Sequence, residues 1–425
     1  MHVCTFSSGT PLEACRCVRL VILVVMAMYA TSAYADVALP SPLRAGDAAA
    51  LARSRRSEII AAKARARAAG ERPAIVSALD EPIVSVSLDH VPFNMMGLDG
   101  SVTVEQTFPL SSVRGHRKRA AEAGARRELA NAERVGLNVE LDAVQAFWML
   151  AQMRASAEIA TRQHGLAKQL EAAALARYSS NTGPQSDVLR AQIETARIGA
   201  EQRALAAEVR GAEVMLNTSI GRDPSLPIPT LDISVPDGEP PASNLVARSA
   251  QSRPELRAGR AEIDQAEAEV RVMRSMYAPM AMVRTGPAYT MAEGKGWMLM
   301  IGVSIPLWRG KLRAGVAEAN AMVDMATADL DAMRRMADGE ARSARETVAA
   351  ARERYRALRD DISPRAEQMI APTMAAYSAG QVPLVSVIEA AQLLWVSQRD
   401  LVVARSELGT AWARLRRASS VEVTP

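Results

Sequence analysis

Methionine thioethers are the side chains of this sequence whose type and spacing best fit a binding chemistry. The chain has 21 methionines, and four of them alternate along two stretches of period-two pattern: Met280, Met282, Met298 and Met300. Because successive side chains of a strand point to opposite faces, each pair shares one face of its strand. Thioether sulfur suits Cu(I) and Ag(I), but methionine also fills irregular apolar space. The pattern therefore leaves two interpretations open, weak soft-metal sites or simple packing, and it specifies no firm metal site.

Other reactive chemistry finds no support in the residue pattern. His90, His116 and His164 lie far apart and lack the spacing of zinc ligands. No nucleophile–base pattern occurs, and no glycine-rich loop follows a strand. The net charge is only +4, with both signs interleaved along the chain, which argues against a nucleic-acid partner. We therefore expect a protein that is not an enzyme and needs no cofactor.

Two corners share one residue pattern and lie 199 residues apart. They read YSSNTGPQSDVLRAQ from Tyr178 and YSAGQVPLVSVIEAAQ from Tyr377. In each, a helical pattern stops at turn-forming residues and then resumes. The candidate site residues at these corners are Tyr178, Gly183, Pro184, Asp187, Tyr377, Gly380, Pro383, Ser386 and Glu389. We expect the glycines to permit the turn geometry.

Prolines at the ends of helices and strands repeat as well. Pro109 in TFPL and Pro306 in SIPL each close an alternating stretch and precede a long helical one. Pro73 and Pro279 are each predicted to end a helix and start a strand. The chain is therefore predicted to be a duplication.

Each unit reads helix, strand, strand, long helix, corner, shorter helix. The predicted segments are a signal peptide 1–35, a first repeat 36–221, a proline-rich connector 222–252, a second repeat 253–418 and a tail 419–425. The first repeat is predicted to contain strands at about 74–110, a long helix at about 112–180 and a helix at about 185–217. The second is predicted to contain strands at about 280–308, a long helix at about 310–378 and a helix at about 384–418. Pro364 and Pro372 should bend or break the second long helix.

The first long helix carries a coiled-coil pattern. Its apolar residues alternate steps of four and three: Leu137, Leu141, Val144, Trp148, Ala151, Ala155 and Ile159.

Apolar and polar residues alternate along the predicted strands. SVTVEQTFPL and WMLMIGVSIPLW each place an apolar set on one face and small or polar residues on the other. A half-buried soluble sheet also shows this pattern, but four strands cannot close a barrel, and open edges are not tolerated in lipid. If the strands cross a membrane, several copies must build one barrel, and three copies supply twelve strands.

The N-terminus reads as a secretory signal. Arg16 and Arg19 precede an apolar run, and Ala33-Tyr34-Ala35 offers a cleavage site before Asp36. The three cysteines, Cys4, Cys15 and Cys17, all precede the run, so the mature chain would have no thiol.

On these motifs the sequence resembles the TolC family of outer-membrane efflux channels. The resemblance covers essentially the whole mature chain and includes the Arg-Pro-Glu-Leu start of the second half. It implies a mainly α fold with β structure: a homotrimer whose twelve-stranded outer-membrane β-barrel continues into a periplasmic α-helical barrel. It also implies a periplasmic adaptor and an inner-membrane RND-type pump as partners, contact with outer-membrane lipid, and a location in the outer membrane of a Gram-negative bacterium.

In this family the corner motif lies at the periplasmic tip, where it docks the adaptor and forms the aperture. The resemblance thus makes Asp187 and Glu389 candidates for acidic rings that repel anions and concentrate cations. The chain departs from the family at two positions of the second corner. Ser386 stands where Asp is common, and Val382 stands where some members carry the arginine of a Tyr–Arg–Asp closing network.

The short strand connections and the PLWRGK junction look most like the heavy-metal branch of the family, so copper or silver export is the leading expectation. A channel for organic solutes, drugs or type I secretion is the alternative within the family. A soluble periplasmic coiled-coil adaptor is the alternative of another class.

Overall fold

The computed structural model describes residues 39–89, 99–290 and 293–419. The predicted signal peptide with its cysteines, His90 and all but the first residue of the tail lie outside the described residues.

Within these ranges the chain is a succession of long helices around one small sheet. The elements in order are α1 (Ala45–Arg55), α2 (Ser57–Ser77), β1 (Ile83–Asp89), β2 (Asp99–Pro109), α3 (Val113–Ser179), α4 (Gln185–Ser219), α5 (Ser243–Ala250), α6 (Pro254–Ser275), β3 (Met280–Thr290), β4 (Gly294–Ser304), α7 (Arg309–Arg356), a π-helical segment (Ala357–Ile362), α8 (Ser363–Ser378) and α9 (Leu384–Ser419). The order helix, strand, strand, long helix, helix occurs twice. The predicted mainly α fold with a duplicated unit is confirmed.

Helix α3 is the longest element and organises the helical part. Its 67 residues extend about 100 Å at about 1.5 Å per residue. Such a helix is stable through packing on its neighbours more than through its own propensity, and α3 contacts α2, α4, α6 and α9. Arg126 on α3 is paired with Asp264 on α6 at 2.9 Å, and Arg257 on α6 is paired with Glu133 on α3.

Close backbone approach lets α9 cross α3 at Trp148. A Cβ atom on Gly409 would lie 2.1 Å from Cε2 of Trp148, so glycine is required at this crossing. Ser406, one turn earlier on α9, donates a hydrogen bond from Oγ to the carbonyl oxygen of Trp148 at 2.9 Å. Small residues on one helix thus make room for a large aromatic residue on the other.

The predicted coiled-coil seam of α3 is not its most deeply buried row. Trp148, Ala151 and Ile159 are buried, but Leu137, Leu141, Val144 and Ala155 are only half-buried. Most of the deepest row lies one residue before the seam: Gly136, Val139, Ala143, Phe147 and Leu150. Because α3 has neighbours on several sides, its buried face is wider than the seam of a two-helix coiled coil.

The prediction that Pro73 ends a helix and starts a strand is wrong. Pro73 lies inside α2, which continues to Ser77, and β1 begins only at Ile83. The predicted strand region from residue 74 therefore starts too early. A proline inside a helix removes one hydrogen bond and crowds the carbonyl of residue i−4, at a cost of about 3 kcal/mol. The packing of α2 along α3 offsets this cost.

The second long helix is interrupted, as its prolines predict. A π-helical segment, Ala357–Ile362, separates α7 from α8, and Pro364 lies in the first turn of α8. Pro364 has no N–H to donate to the preceding turn, which favours a wider turn before it. Pro372 lies inside α8 without ending it.

The proline-rich connector is clamped to this interruption by one aspartate. Asp237 accepts hydrogen bonds from Nε of Arg356 at 2.8 Å and from Nη1 of Arg359 at 3.1 Å. Arg352 donates to the carbonyl oxygen of Asp237 at 3.0 Å. The hydrogen bond from Arg356, followed by that from Arg359, holds the pKa of the Asp237 carboxyl below its ordinary value.

The sheet is antiparallel throughout, in the order β1-β2-β3-β4. In the described part of the chain, β1 and β4 are edge strands with one neighbour each. The residues after Ser304, which the sequence assigned to the strand region up to 308, leave the sheet before α7 starts at Arg309. Among the described helices, none combines the length and the apolar character needed to cross a membrane.

Candidate functional site: one face of the sheet and two paired corners

The strand register places the four predicted methionines on one face. Met282 lies opposite Gly302, and Met300 lies opposite Arg284, which in turn lies opposite Glu105. Met280 and Met298 are opposite Ser304 and Gly286 and belong to the same face. We call this the methionine face.

A charged pair lies in the middle of the methionine face. Arg284 donates from Nε to Oε2 of Glu105 at 2.8 Å across β2 and β3. Glu105 is mostly covered, whereas about a third of Arg284 is exposed. The face therefore offers thioether sulfurs beside a neutralised ion pair. No cluster of histidine, cysteine or acidic residues with the geometry of a metal site occurs among the described residues.

The opposite face of the sheet is apolar and exposed. Its exposed members are Val84, Val86, Leu88, Val102, Val104, Phe108, Trp297, Leu299, Ile301 and Val303. Trp297 is 71% exposed and Ile301 69% exposed, so these side chains are not covered by the rest of the protomer. An apolar face of this extent requires lipid or another protein surface to cover it.

The two corners have the same backbone hydrogen bonds. At the first, Asn181 N–H donates to the carbonyl of Tyr178 at 3.0 Å, and Thr182 N–H donates to that of Arg177 at 2.8 Å. At the second, Gly380 N–H donates to Tyr377 and Gln381 N–H to Ala376, both at 2.9 Å. These are the closing bonds of a helix that ends in a left-handed residue. The repeated pattern of the sequence is a repeated turn.

The left-handed residue of the first corner is Asn181 and not Gly183. Asn181 has φ 58° and Gly380 has φ 74°, and each follows the corner tyrosine by three residues. The expectation for Gly380 therefore fits the turn, whereas Gly183 does not have a positive φ. At Gly183 a Cβ would instead lie 3.1 Å from Cβ of Arg177. Asparagine tolerates the left-handed region. The expectation that Gly183 permits the first turn did not take this property of Asn181 into account.

Prolines start the helix after each corner. Pro184 precedes α4 in an extended conformation, and the N–H of Asp187 donates to its carbonyl at 3.2 Å. Pro383 precedes α9, and the N–H of Ser386 donates to its carbonyl at 3.1 Å. The extended residue before each helix is the conformation that starts a new helical direction.

Tyr377 lies where the two corners pack together. It is fully buried in an apolar cluster with Leu170 and Val188 from the first corner and Leu384 and Val387 from the second. Its counterpart Tyr178 is 43% exposed. The two corners of one protomer thus form a single packed unit.

Arg177 fixes Tyr377 from the first corner. Its Nη1 donates to the carbonyl oxygen of Tyr377 at 2.9 Å, and its Nη2 donates to that of Thr182 at 3.0 Å. The guanidinium carbon also lies 4.7 Å from the centre of the tyrosine ring. Arg177 is not among the site residues predicted from the sequence, because the family pattern places an arginine at the position of Val382.

Asp187 completes this arrangement. The hydroxyl of Tyr377 donates to Oδ2 of Asp187 at 3.4 Å. Burial raises the pKa of the Tyr377 hydroxyl, and the negative charge of Asp187 raises it further. One tyrosine, one arginine and one aspartate therefore meet within one protomer, although the arginine comes from a different place in the chain than the family pattern suggests.

The other predicted residues lie apart from this cluster. Glu389 is exposed on α9, and Ser386 takes the place that Asp187 has at the first corner. Pro109 ends β2, Pro279 precedes β3 and Pro306 lies between β4 and α7. The N–H of Leu110 donates to the carbonyl of Pro279 at 3.3 Å, which ties the two junctions together.

His116 and His164, the histidines among the described residues, do not meet. His116 contacts Oγ of Ser112 through Nε2 at 3.0 Å, and His164 contacts Oε1 of Gln202 through Nδ1 at 2.9 Å. They serve as local hydrogen-bonding groups on α3.

Comparison with known proteins gives a family match over part of the chain and a fold over most of it. Residues 245–420 match the family model described as outer membrane efflux protein, and no curated protein matches the sequence. The chain is similar in structure to the outer-membrane channel OprN, with a TM-score of 0.76 and 18% identity over 88% of this chain and 89% of that one.

Two further solved structures have the same fold. CusC, whose structures concern folding and transmembrane channel formation, matches with a TM-score of 0.78 and 14% identity over 88% and 91% of the two chains. VceC, an outer membrane protein of Vibrio cholerae, matches with a TM-score of 0.74 and 17% identity over 88% and 95%. At these identities the likenesses show that the chain shares its fold with these proteins over 88% of its length.

Proposed function

We propose that this chain, which matches the outer membrane efflux protein model over residues 245–420, is the outer-membrane channel of a tripartite pump that exports soft metal cations. The channel role rests on the family and on the exposed apolar face of the sheet. The choice of soft metal cations rests on the methionine face.

The sheet supports a trimer inserted in the outer membrane. Its apolar face suits contact with lipid, and its two edge strands, β1 and β4, carry backbone groups that lipid cannot satisfy. Three copies joined edge to edge close a twelve-stranded barrel and satisfy these groups. The methionine face then lines the interior, and the helices continue the duct into the periplasm.

The paired corners at the far end of the helices are the proposed docking tip. A periplasmic adaptor would contact them, and an inner-membrane pump would supply the energy, since the described residues contain no catalytic constellation. Gly380 and Asn181 shape the turns, and the cluster of Tyr377, Arg177 and Asp187 holds the two corners together.

The methionine face is the observation that favours soft cations over organic solutes. Met282 and Met300 are diagonal neighbours across β3 and β4, a spacing of about 7–8 Å between Cα atoms in antiparallel pairs. Thioethers at such spacing offer several weak sites between which a soft cation can move. Conduction requires weak, multiple sites, because one tight site would block the duct.

The test replaces Met280, Met282, Met298 and Met300 with leucine. Leucine keeps a similar volume and apolar character, so trimer levels on a non-boiled SDS gel should match those of the wild type. We expect copper and silver tolerance conferred by the intact pump to fall, with tolerance to organic compounds unchanged. A matched variant replaces four exposed methionines of the helices with leucine: Met149, Met215, Met336 and Met369.

The outcomes separate the proposals. Unchanged metal tolerance in the strand variant would mean that these methionines only fill apolar space, and it would favour the organic-solute or type I secretion channel. Equal loss in both variants attributes the effect to general destabilisation. A monodisperse monomer in mild detergent with native circular dichroism contradicts the trimeric channel itself.

A further inference from the structure

The two helices that leave the sheet begin with the wrong charge for a helix start. Helix N-termini favour acidic residues because the helix dipole is positive there, and α1, α2, α4 and α6 follow this rule. Of the helices in the described ranges, α5, α8 and α9 have no acidic residue in the first turn, and neither do α3 and α7, which alone begin with several cations. They begin instead with VRGHRKR and RGKLR. Both copies of the duplicated unit thus place cations where the helix dipole repels them.

These cations form one continuous zone below the sheet. Arg114 on α3 donates to the carbonyl of Ser77, at the end of α2, at 2.8 Å. A Cβ on Gly315 of α7 would lie 3.6 Å from the sulfur of Met273 near the end of α6. The ends of α2 and α6 therefore meet the starts of α3 and α7. We call the cations of this zone the basic collar: Arg114, Arg117, Lys118, Arg119, Arg271, Arg274, Arg309, Lys311 and Arg313.

Most of the collar lacks protein partners. Lys118 lies 4.0 Å from Glu122, and Arg271 lies 3.6 Å from Glu267. Within the described part of the chain, Arg309, Lys311 and Arg313 are exposed and make no ion pair or side-chain hydrogen bond. Burial lowers the pKa of His116, and the positive charges of Arg119 and Arg271 lower it further. The collar therefore carries an uncompensated positive charge.

Exposed apolar and aromatic residues lie between the collar and the apolar face of the sheet. Trp308 is 80% exposed and Leu307 74% exposed, directly before Arg309. Tyr277 and Leu110 are also exposed at the neighbouring junctions. An apolar band, then aromatic residues, then cations is the order in which a membrane presents acyl chains, interface and anionic headgroups.

We propose that the basic collar binds the headgroup phosphates of anionic phospholipids in the periplasmic leaflet of the outer membrane. The inference rests on the proposed function, in which the sheet lies in lipid and the helices lie in the periplasm. The unpaired cations neutralise headgroup phosphates, and Trp308 packs at the level of the glycerol backbone. The collar thereby sets the depth at which the sheet lies in the bilayer.

The test measures lipid selectivity at Trp308, which is next to the collar. The full chain is reconstituted with mixtures of phosphatidylcholine and phosphatidylglycerol, one of which carries brominated acyl chains that quench nearby tryptophan fluorescence. Trp308 directly precedes the collar, whereas Trp297 lies near the opposite end of β4 and reports only whether the sheet contacts lipid. Selectivity at the collar is therefore read in a Trp297→Phe background. The variant Arg309→Gln, Lys311→Gln, Arg313→Gln removes three cations of the collar without changing a tryptophan.

A matched variant removes three cations from the same helix, away from the collar. Arg335→Gln, Arg342→Gln and Arg354→Gln lie more than 20 residues further along α7, about 30 Å or more from the sheet at about 1.5 Å per residue. The net charge changes equally in both variants. A second collar variant, Arg117→Gln, Lys118→Gln, Arg119→Gln, tests the other junction.

We expect the wild type and the matched variant to prefer phosphatidylglycerol, with up to about a fivefold gain for each engaged cation. Both collar variants should move towards parity, and added salt should weaken the wild-type preference. The proposal is overturned if the wild type shows no preference for phosphatidylglycerol over phosphatidylcholine, or if a collar variant keeps the full wild-type preference. If inorganic phosphate abolishes the preference for phosphatidylglycerol at concentrations comparable to that of the lipid, the site binds free phosphate, and the lipid assignment is overturned.

The same measurement distinguishes failure of the collar from failure of the proposed function. If brominated phosphatidylcholine alone quenches the tryptophans but phosphatidylglycerol is no better, only the collar proposal fails. If neither lipid quenches them, the sheet does not lie in a bilayer, and the proposed channel function fails as well.

Discussion

Replacing Arg177 with alanine should loosen the contact between the two corners of one protomer. The side chain donates two hydrogen bonds to backbone carbonyls, at 2.9 Å to Tyr377 and at 3.0 Å to Thr182. It also covers the face of the Tyr377 ring at 4.7 Å. Alanine removes all three interactions and leaves the apolar cluster around Tyr377 in place.

The expected loss follows from these contacts. Hydrogen bonds from charged groups contribute about 1.5–3 kcal/mol each, and a cation over an aromatic ring adds about 0.5–1 kcal/mol at an exposed site. Arg177 is partly exposed, so solvent screening reduces the total to about 2–4 kcal/mol. Since about 1.4 kcal/mol is a factor of ten, local opening of the second corner should become about 30-fold to about 1,000-fold more frequent.

Hydrogen exchange of the corner amides measures this opening. The N–H of Gln381, which donates to the carbonyl of Ala376, should lose protection by that factor, while amides in the middle of α3 keep theirs. Arg190→Ala is the control. Arg190 is exposed, lies near the first corner as Arg177 does, and has no ion pair within the described residues. Equal protection of Gln381 in the wild type and in Arg177→Ala would refute the reasoning, and equal loss in both variants would assign the effect to net charge alone.

Two further predictions concern the corners and the connector. Gly380→Ala should lower the stability of the second corner by about 1–2 kcal/mol, because φ is 74° there. Asn181→Gly should leave the stability of the first corner unchanged or raise it. The opposite order of stabilities in chemical denaturation would contradict the assignment of the left-handed residues. The clamp on Asp237 should weaken at acid pH: its carboxyl has a lowered pKa in the folded chain, so its contribution is present above about pH 4 and is lost as the pH falls through the folded value. The protection of the connector amides, measured relative to their intrinsic exchange rates, should therefore fall in acid, and Asp237→Asn should remove that pH dependence. An unchanged acid response in Asp237→Asn would count against the clamp.

The fold could be predicted from the sequence where local pattern and global structure agree. The period-two alternation predicts SVTVEQTFPL as a strand, and β2, Asp99–Pro109, contains all of it except the last residue. The repeated corner pattern corresponds to one repeated hydrogen-bonded turn. Both features depend on neighbouring residues, which a sequence displays directly.

The errors arise where packing decides. Pro73 resembles a helix end by local rules, but α2 passes through it because its neighbours hold the helix on both sides of the proline. Arg177 could not be selected, because its partner Tyr377 is 200 residues away along the chain. Asn181 was missed because asparagine substitutes for glycine only where the backbone demands a positive φ, and the sequence does not display that demand.

The duplicated corners have a consequence for the symmetry of an assembly. The two turns share their hydrogen bonds, but Tyr377 is fully buried where Tyr178 is exposed, and Asp187 has Ser386 as its counterpart. A trimer would therefore end in six corners of two alternating kinds, so that its mouth is threefold and only approximately sixfold. A ring of identical adaptor hairpins docking there would meet two different surfaces, and neighbouring hairpins of one sequence would have to form unlike contacts.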